Sequence, residues 1–317
     1  MKSIDILIVN WNGKNFLEKL LPQLLNLEDF NSFVSKLIVV DNASEDGSVN
    51  YILNNFPRVE LISLDHNCGY AKGNNIGLKR CAAQYVFLLN NDLEIRDPAI
   101  LRKLVTLAQA TDSFGAIAPA LYLPRGQLQT GAGGFDRGLL SFLSYFLFVG
   151  RVFPVFSRPF YIDQGRLVRR AESVALDWVS GAAMMVDSSA LKEIGGIPED
   201  YFMYSEDVKL CRNIRAKGLR VIYSPSTSIF HIHGGSENKG GVKTRWIEST
   251  LSEYGSRCGP VRIGMAKLTF ASGFMLRGAA YFLMALFARG QQDKLAARRM
   301  FHYFRAAMNF TPDRNKK

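Results

Sequence analysis

Tyr85-Val86-Phe87-Leu88-Leu89 is a nearly continuous apolar run that stops on Asn90-Asn91-Asp92, three side chains that offer oxygen ligands. The run reads as a buried strand. In open α/β sheets, ligands bind beyond the carboxyl ends of strands. A carboxylate there, backed by amides, suits a hard divalent cation such as Mg²⁺ or Mn²⁺, which takes oxygen donors and leaves positions for water and phosphate. An Asx turn after a strand explains the same residues without a metal. Asp41 closes another apolar run and can accept a hydrogen bond from a nucleobase or ribose. Glu206 and Asp207 follow Ser205 at a helix start, where capping and the helix dipole account for both acids. His231 and His233 flank one residue and precede Gly234-Gly235-Ser236. A histidine in an apolar strand is commonly just hydrogen-bonded, although imidazole is also a reasonable ligand for Mn²⁺.

The elements that must carry these groups alternate. Ile4 to Val9 predicts a strand ending in Asn10-Trp11-Asn12-Gly13, followed by a helix over about Asn15 to Leu27 with leucines at helical spacing. Leu37 to Val40 predicts a second strand, ending in Asp41-Asn42-Ala43-Ser44-Glu45-Asp46-Gly47-Ser48. Val59 to Leu64 predicts a third, and Gly69-Tyr70-Ala71-Lys72-Gly73-Asn74-Asn75-Ile76-Gly77 opens another helix. Alternating strands and helices imply a mainly parallel central sheet with right-handed crossovers, flanked by helices. The polar strand ends then share one sheet edge and converge on one cleft. The glycine spacing is neither a dinucleotide fingerprint nor a P-loop, and close helix packing explains it equally well.

Net charge is +11 over 317 residues, and it is unevenly placed. Residues 241–317 carry 14 Lys and Arg against 4 Asp and Glu, whereas residues 1–240 carry 25 against 24. The division expected is a domain over 1–240 and a basic amphipathic helical tail over 241–317. A basic block of this kind serves nucleic acid or an anionic membrane surface. No nucleic-acid-binding module is recognisable, so no nucleic-acid partner is expected. Cys68, Cys81, Cys211 and Cys258 lie far apart, as reduced thiols of a cytoplasmic protein do, and no secretory leader is expected at the N-terminus.

The runs IVNWN, VVDNASEDGS, NCGYAKGNNIG and LLNND, in this order and spacing, resemble family 2 glycosyltransferases of the GT-A fold, and most of all their rhamnosyltransferase-like branch. The likeness covers roughly residues 4–240. It implies a GT-A nucleotide-diphospho-sugar transferase fold, with a nucleotide-sugar-binding half over about 1–120 and an acceptor half over about 121–240. It further implies that Asn10, Asn12 and Asp41 hold the base and ribose of a dTDP- or UDP-sugar. Asn67, Gly69, Gly73 and Asn74 would line the nucleotide, and Trp178 and Gly181 would lie beside the donor sugar. Asn90-Asn91-Asp92 takes the place of the family's Asp-x-Asp, with Asn91 on the donor and Asp92 on Mg²⁺ or Mn²⁺. His231, with His233 as the alternative, would bind the metal or the diphosphate. Asp207 would be the general base and Glu206 would position the acceptor, a glycan or polyprenyl-diphosphate-linked molecule. Many members carry a second Asp two residues further on, where this chain has Lys209.

Three segments leave alternatives open. Leu139 to Val149 is a buried core helix or a loop that touches lipid. Val261 to Ala288 is near helical spacing, with Lys267, Arg277 and Arg289 in or beside it. A central Arg costs about 2.5–3.5 kcal/mol in a spanning helix. An in-plane helix whose Lys and Arg meet anionic headgroups is therefore expected, on the inner face of the cell membrane, with packing on the catalytic domain as the alternative. A second basic helix is expected over about Gln292 to Met308. Two rival functions remain: a sugar-1-phosphate nucleotidyltransferase, although IVNWNG lacks its Gly- and Arg/Lys-rich phosphate loop, and a catalytically silent membrane-associated scaffold.

Overall fold

The computed structural model describes residues 3–136, 138–149, 161–162, 164–232, 244–288 and 291–311. His233 and Gly234-Gly235-Ser236 lie outside them, as do Arg151 and Pro154. The chain divides into two compact units. One comprises Met1–Gly134, Ile162–Phe202 and Glu206–Asn238; the other comprises Phe135–Tyr161, Met203–Ser205 and Lys239–Lys317.

The first unit is an α/β layer structure. Its strands are β1 (Ile4–Asn10), β2 (Val34–Asp41), β3 (Val59–Ser63), β4 (Tyr85–Asn90), β5 (Leu93–Glu94), β6 (Phe114–Tyr122), β7 (Gly133–Gly134), β8 (Val174–Ala175), β9 (Trp178–Val179), β10 (Ala183–Asp187) and β11 (Arg220–His231). The main sheet runs β3-β2-β1-β4-β10-β6-β11-β5, with β8 beside β11, while β7 and β9 form a separate pair. β1 to β4 are mutually parallel, as the continuous apolar runs require, and every residue of β1 is buried. β10 enters antiparallel between β4 and β6, and β6 and β11 are again parallel. The register sets Asn10 opposite Asp41 and Val9 opposite Asn90, so three strands end level.

The expected helices form at Lys14–Leu25 and Tyr70–Leu78. The glycine spacing of the second is a packing device. A Cβ on Gly77 would lie 2.3 Å from Leu7 Cδ1, and one on Gly73 would lie 3.1 Å from Val9 Cγ1. Side chains there would push the helix off β1. Glu206–Ala216 is the helix that opens with the two acids, and Ser205 before it has φ +74°, outside the extended region that a capping residue takes.

The second unit is helical: Leu139–Phe146, Arg245–Gly255, Pro260–Ala288 and Gln291–Asn309. Its core is aromatic. The Phe270 ring lies 5.0 Å from Phe142 and 4.1 Å from Phe146 between centroids, and Tyr254 meets Phe142 edge-on at 5.1 Å. Leu139–Phe146 is thus a core helix, the first of its two readings. Gly273 allows the contact, since a Cβ there would stand 2.6 Å from Phe146 Cβ. Lys267 and Arg277 depart from the expectation that they reach headgroups. Lys267 Nζ donates to Phe310 O at 2.6 Å, and Arg277 donates to Tyr145 O at 2.7 Å and Phe146 O at 2.9 Å.

Candidate functional site

The level ends of β1, β2 and β4 put three polar side chains side by side. Asn10 Nδ2 donates to Asp41 Oδ2 at 2.8 Å, and Asn91 Nδ2 donates to Asn10 Oδ1 at 2.7 Å. Asp41 Oδ1 accepts the Ser44 N–H at 2.8 Å, which turns the loop back over β1. All three side chains are buried, so each bond must be made or a desolvated polar group is stranded. Gly13 closes under this network: a Cβ there would sit 2.0 Å from Asn91 Nδ2. Asn12 lies at the exposed rim with φ +48°, where its Oδ1 accepts from Glu45 N and its own N–H donates to Ser44 Oγ, both at 2.8 Å. Burial opposes ionisation of Asp46, but hydrogen bonds from Ser48 and the Lys14 N–H hold its carboxyl below the usual carboxylate range. This pins the start of helix Lys14–Leu25.

The next residue after Asn91 carries the metal question. Asp92 Oδ1 and His231 Nε2 are 3.1 Å apart, both residues being buried, and Gln129 Oε1 lies 2.8 Å from His231 Nδ1. With Gln129 Oε1 as acceptor, His231 Nδ1 donates to it, which leaves Nε2 facing the Asp92 carboxylate, where a proton or a metal ion can sit between the two. Two cis ligands at about 2.0–2.1 Å from an octahedral ion are about 3.0 Å apart. The pair therefore fits such an ion without rearrangement. Among the described residues no group of three or more His, Cys, Asp or Glu could hold a metal, so the remaining positions would fall to water and substrate oxygens.

The acidic helix start is tied to the turn at Gly181. Asp207 Oδ2 accepts the Gly181 N–H at 3.1 Å, and its Oδ1 accepts the Val208 N–H at 2.8 Å. Tyr70 Oη donates to Gly181 O at 2.9 Å, so one glycine ties the Tyr70 helix to the Asp207 helix. A Cβ on Gly181 would lie 3.2 Å from Asp207 Cβ. Burial pushes the Tyr70 phenol far up, and the negative charges of Glu206, Asp207 and Asp92 add to it. Glu206 is buried, and Lys209 is turned away into an ion pair with Asp200 at 2.7 Å. Trp178 is buried in β9, opposite Gly134 of β7.

The remaining predicted residues shape one loop. Asn67 Oδ1 accepts the Gly69 N–H at 2.9 Å, and Gly69 takes φ +87° beneath Phe202, whose carbonyl would be 3.0 Å from a Cβ. Asn74 is buried and donates to Tyr70 O at 3.0 Å. Asn10, Asp41 and Asn91 are thus joined directly, Asp92 is joined to His231, and Asp207 is joined to Gly181. Asn12 and Asn67 organise loops at the edge. Gly13, Tyr70 and Gln129 belong to the site but were not singled out from sequence. A glycine directly after a polar strand end is a usable signal for the first; nothing local marks Gln129, 102 residues from its partner.

Residues 5–135 match the family described as Glycosyl transferase family 2. The chain is 25% identical over 262 residues to the O-antigen biosynthesis protein RfbC of Myxococcus xanthus, covering 81% of this chain and 19% of that protein. It is 26% identical over 206 residues to the N-acetylglucosaminyl-diphospho-decaprenol L-rhamnosyltransferase of Mycobacterium tuberculosis, covering 62% of this chain and 66% of that one. It is 26% identical over 238 residues to the rhamnosyltransferase WbbL of Escherichia coli, covering 72% and 83%. The chain therefore spans less than two thirds of the length of the first two relatives. Among solved structures, the mannosyltransferase PcManGT from Pyrobaculum calidifontis, in complex with GDP-Man and Mn²⁺, superposes with TM-score 0.58 at 16% identity, covering 96% of this chain and 86% of that one. GalNAc-T7 with UDP, GalNAc and Mn²⁺ superposes with TM-score 0.56 at 13% identity, covering 80% and 51%. At these identities the likeness shows the GT-A fold.

Proposed function

We propose that this chain, a family 2 glycosyltransferase of the rhamnosyltransferase-like branch, moves a sugar from a nucleotide diphosphate to a glycan or polyprenyl-diphosphate-linked acceptor with inversion. Rhamnose from a dTDP donor is the favoured substrate and a UDP-hexose the second. The relatives' names support the reading, and so does one observation above the rest: buried Asp92 lies 3.1 Å from His231 just past the end of β4, while Asp207 is held by the N–H of Gly181, whose carbonyl accepts the Tyr70 hydroxyl.

Asp41, through Asn10, sets the edge on which the base and ribose would rest, with Asn12 at its rim. The Asn67–Asn74 loop and helix start, with Gly69 and Gly73, would take the nucleotide side. Gly181 and Trp178 would lie along the sugar. Asp92 and His231 would hold Mg²⁺ or Mn²⁺, which when bound supplies positive charge beside the departing diphosphate. The acceptor oxygen forms the new bond to the anomeric carbon while the bond to the diphosphate breaks, and the nucleotide diphosphate leaves with that electron pair. Asp207 takes the acceptor proton, a contribution of about 10²–10⁴-fold. The Gly181 and Val208 N–H bonds aim its carboxylate. Charge at the anomeric carbon passes through an oxocarbenium-like state. Consumption of a nucleotide sugar assigns the reaction to the cytoplasm.

Thermal denaturation against a panel of nucleotide sugars, with and without Mn²⁺, tests the reading. One dTDP- or UDP-sugar is expected to raise Tm in a Mn²⁺-dependent way. No stabilisation by any nucleotide sugar, together with stabilisation by a nucleoside triphosphate, would replace transfer with nucleotidyl chemistry.

A further inference from the structure

Helix Pro260–Ala288 is apolar on two sides, and only one of them is covered. Phe270 and Phe274 point into the aromatic core, and Ala266 and Ala271 are buried beside them. Met265, Leu268, Met275, Leu276, Leu283 and Leu286 are all exposed. At 100° per residue these six fall within an arc of about 80–100° on one flank. The positions between them in the same arc are Val261, Ser272 and Ala279, so the flank carries no charge from end to end. From Val261 to Leu286 it is about 38 Å long at 1.5 Å per residue.

None of the three charges of this helix lies in the arc, Arg262 being exposed just beside it. Lys267 and Arg277 both lie off the flank and donate to backbone carbonyls of their own unit. The Arg277 guanidinium is further packed 4.6 Å from the Phe148 ring centroid. Neither of these two cations therefore reaches the headgroups, and the exposed cations that can are those of the following helix and Arg262. Helix Gln291–Asn309 does the opposite: Lys294, Arg298, Arg299 and Arg305 are all exposed and fall on one side of it.

We propose that this flank is a membrane-docking surface for an anionic bilayer, occupied in-plane by acyl chains, with the basic side of helix Gln291–Asn309 at the headgroups. An uninterrupted apolar stripe of this length is more than scattered surface leucines. The neighbouring cations match a negatively charged leaflet, each contributing near the surface. Spanning is disfavoured by the same geometry. The other side of the helix is taken by protein, and a crossing would bring the four exposed cations of the partner helix into hydrocarbon. The proposal does not depend on the donor or the acceptor.

Flotation of the full chain with phosphatidylcholine vesicles, and with the same vesicles containing phosphatidylglycerol, is the test. The protein is expected to float with the anionic vesicles and to be released in part by salt. The double variant Leu276→Glu/Leu283→Glu should bind them at least tenfold more weakly, and Arg298→Glu/Arg299→Glu should lose the preference for phosphatidylglycerol. A nitroxide on Leu283→Cys should be more accessible to oxygen in the bilayer than one on Lys294→Cys, which reads depth without a disruptive charge. Failure of the native chain to float, equal depth at the two labels, or a dimer in solution that the double Glu variant dissociates would overturn the proposal; the last would make the flank a contact with a second copy.

Discussion

The two units depart from the usual burial pattern in opposite directions. The α/β unit buries polarity: Asn10, Asp41, Asn74, Asn91, Asp92, Glu206 and His231 are all inside. The helical unit exposes apolarity, along one flank of its longest helix. Buried polar groups are tolerated only when hydrogen-bonded, and large exposed apolar patches only when something covers them. In the first unit the named groups gather chiefly at the ends of β1, β2, β4 and β11, with Asn74 and Glu206 on helices; in the second an uninterrupted part of the exposure follows one helical arc. Polarity placed inside can hold a ligand rigidly, whereas apolarity placed outside can only meet a surface.

The largest effect that would sharpen this contrast is chemical. Asp207→Asn keeps shape but removes the proposed base, so transfer should fall by about 10²–10⁴-fold while Mn²⁺-dependent donor stabilisation persists. Turnover near that of the native chain would remove Asp207 from the mechanism. The matching change in the other unit is Phe270→Ala. It should cost about 3–5 kcal/mol of stability, seen as a fall in Tm, because Phe270 is fully buried between Phe142 and Phe146. A variant that kept its Tm but lost donor binding would dissolve the distinction between the two units.

A smaller effect probes how polar burial is organised. Gln129→Leu removes the acceptor that fixes the His231 ring, and partners behind metal-binding histidines are typically worth about 10–100-fold in metal affinity. Mn²⁺ titration by calorimetry should show that loss, and Gln129→Glu, which retains an acceptor, should recover most of it. Equal affinity in all three chains would leave Gln129 with packing alone.

Residues differ in how openly the sequence announces them. The parallel strands were legible because burial on both faces demands continuous apolar runs, and Asp92 because such a run ended on it. The inward turn of Arg277 was not, since its acceptors are carbonyls of Tyr145 and Phe146, more than a hundred residues away. Gln129 was hidden for the same reason. Local pattern reports which face of an element is buried; it does not report which distant backbone atom will meet a side chain there. The Gly69, Gly73 and Gly77 series lay between these cases: its spacing was plain, but only the close approach of Leu7 and Val9 distinguishes packing from a phosphate loop.

Gly13 provides the finest test of the buried network. Its φ is ordinary for any residue, near −118°, so backbone strain does not require glycine there. Space does. An alanine Cβ would fall 2.0 Å from Asn91 Nδ2 and 2.5 Å from Asn10 Oδ1, the two atoms that bond each other at 2.7 Å. Gly13→Ala must therefore part that hydrogen bond or move helix Lys14–Leu25, at about 1–3 kcal/mol by either route. The two outcomes separate in one experiment. If Asn91 is displaced, Asp92 follows it along the chain, and Mn²⁺-dependent donor binding weakens along with Tm. If the helix moves instead, Tm falls while Mn²⁺ titration stays native. The first result would make the Asp41–Asn10–Asn91 chain a support for the metal pair; the second would confine it to holding β1, β2 and β4 level.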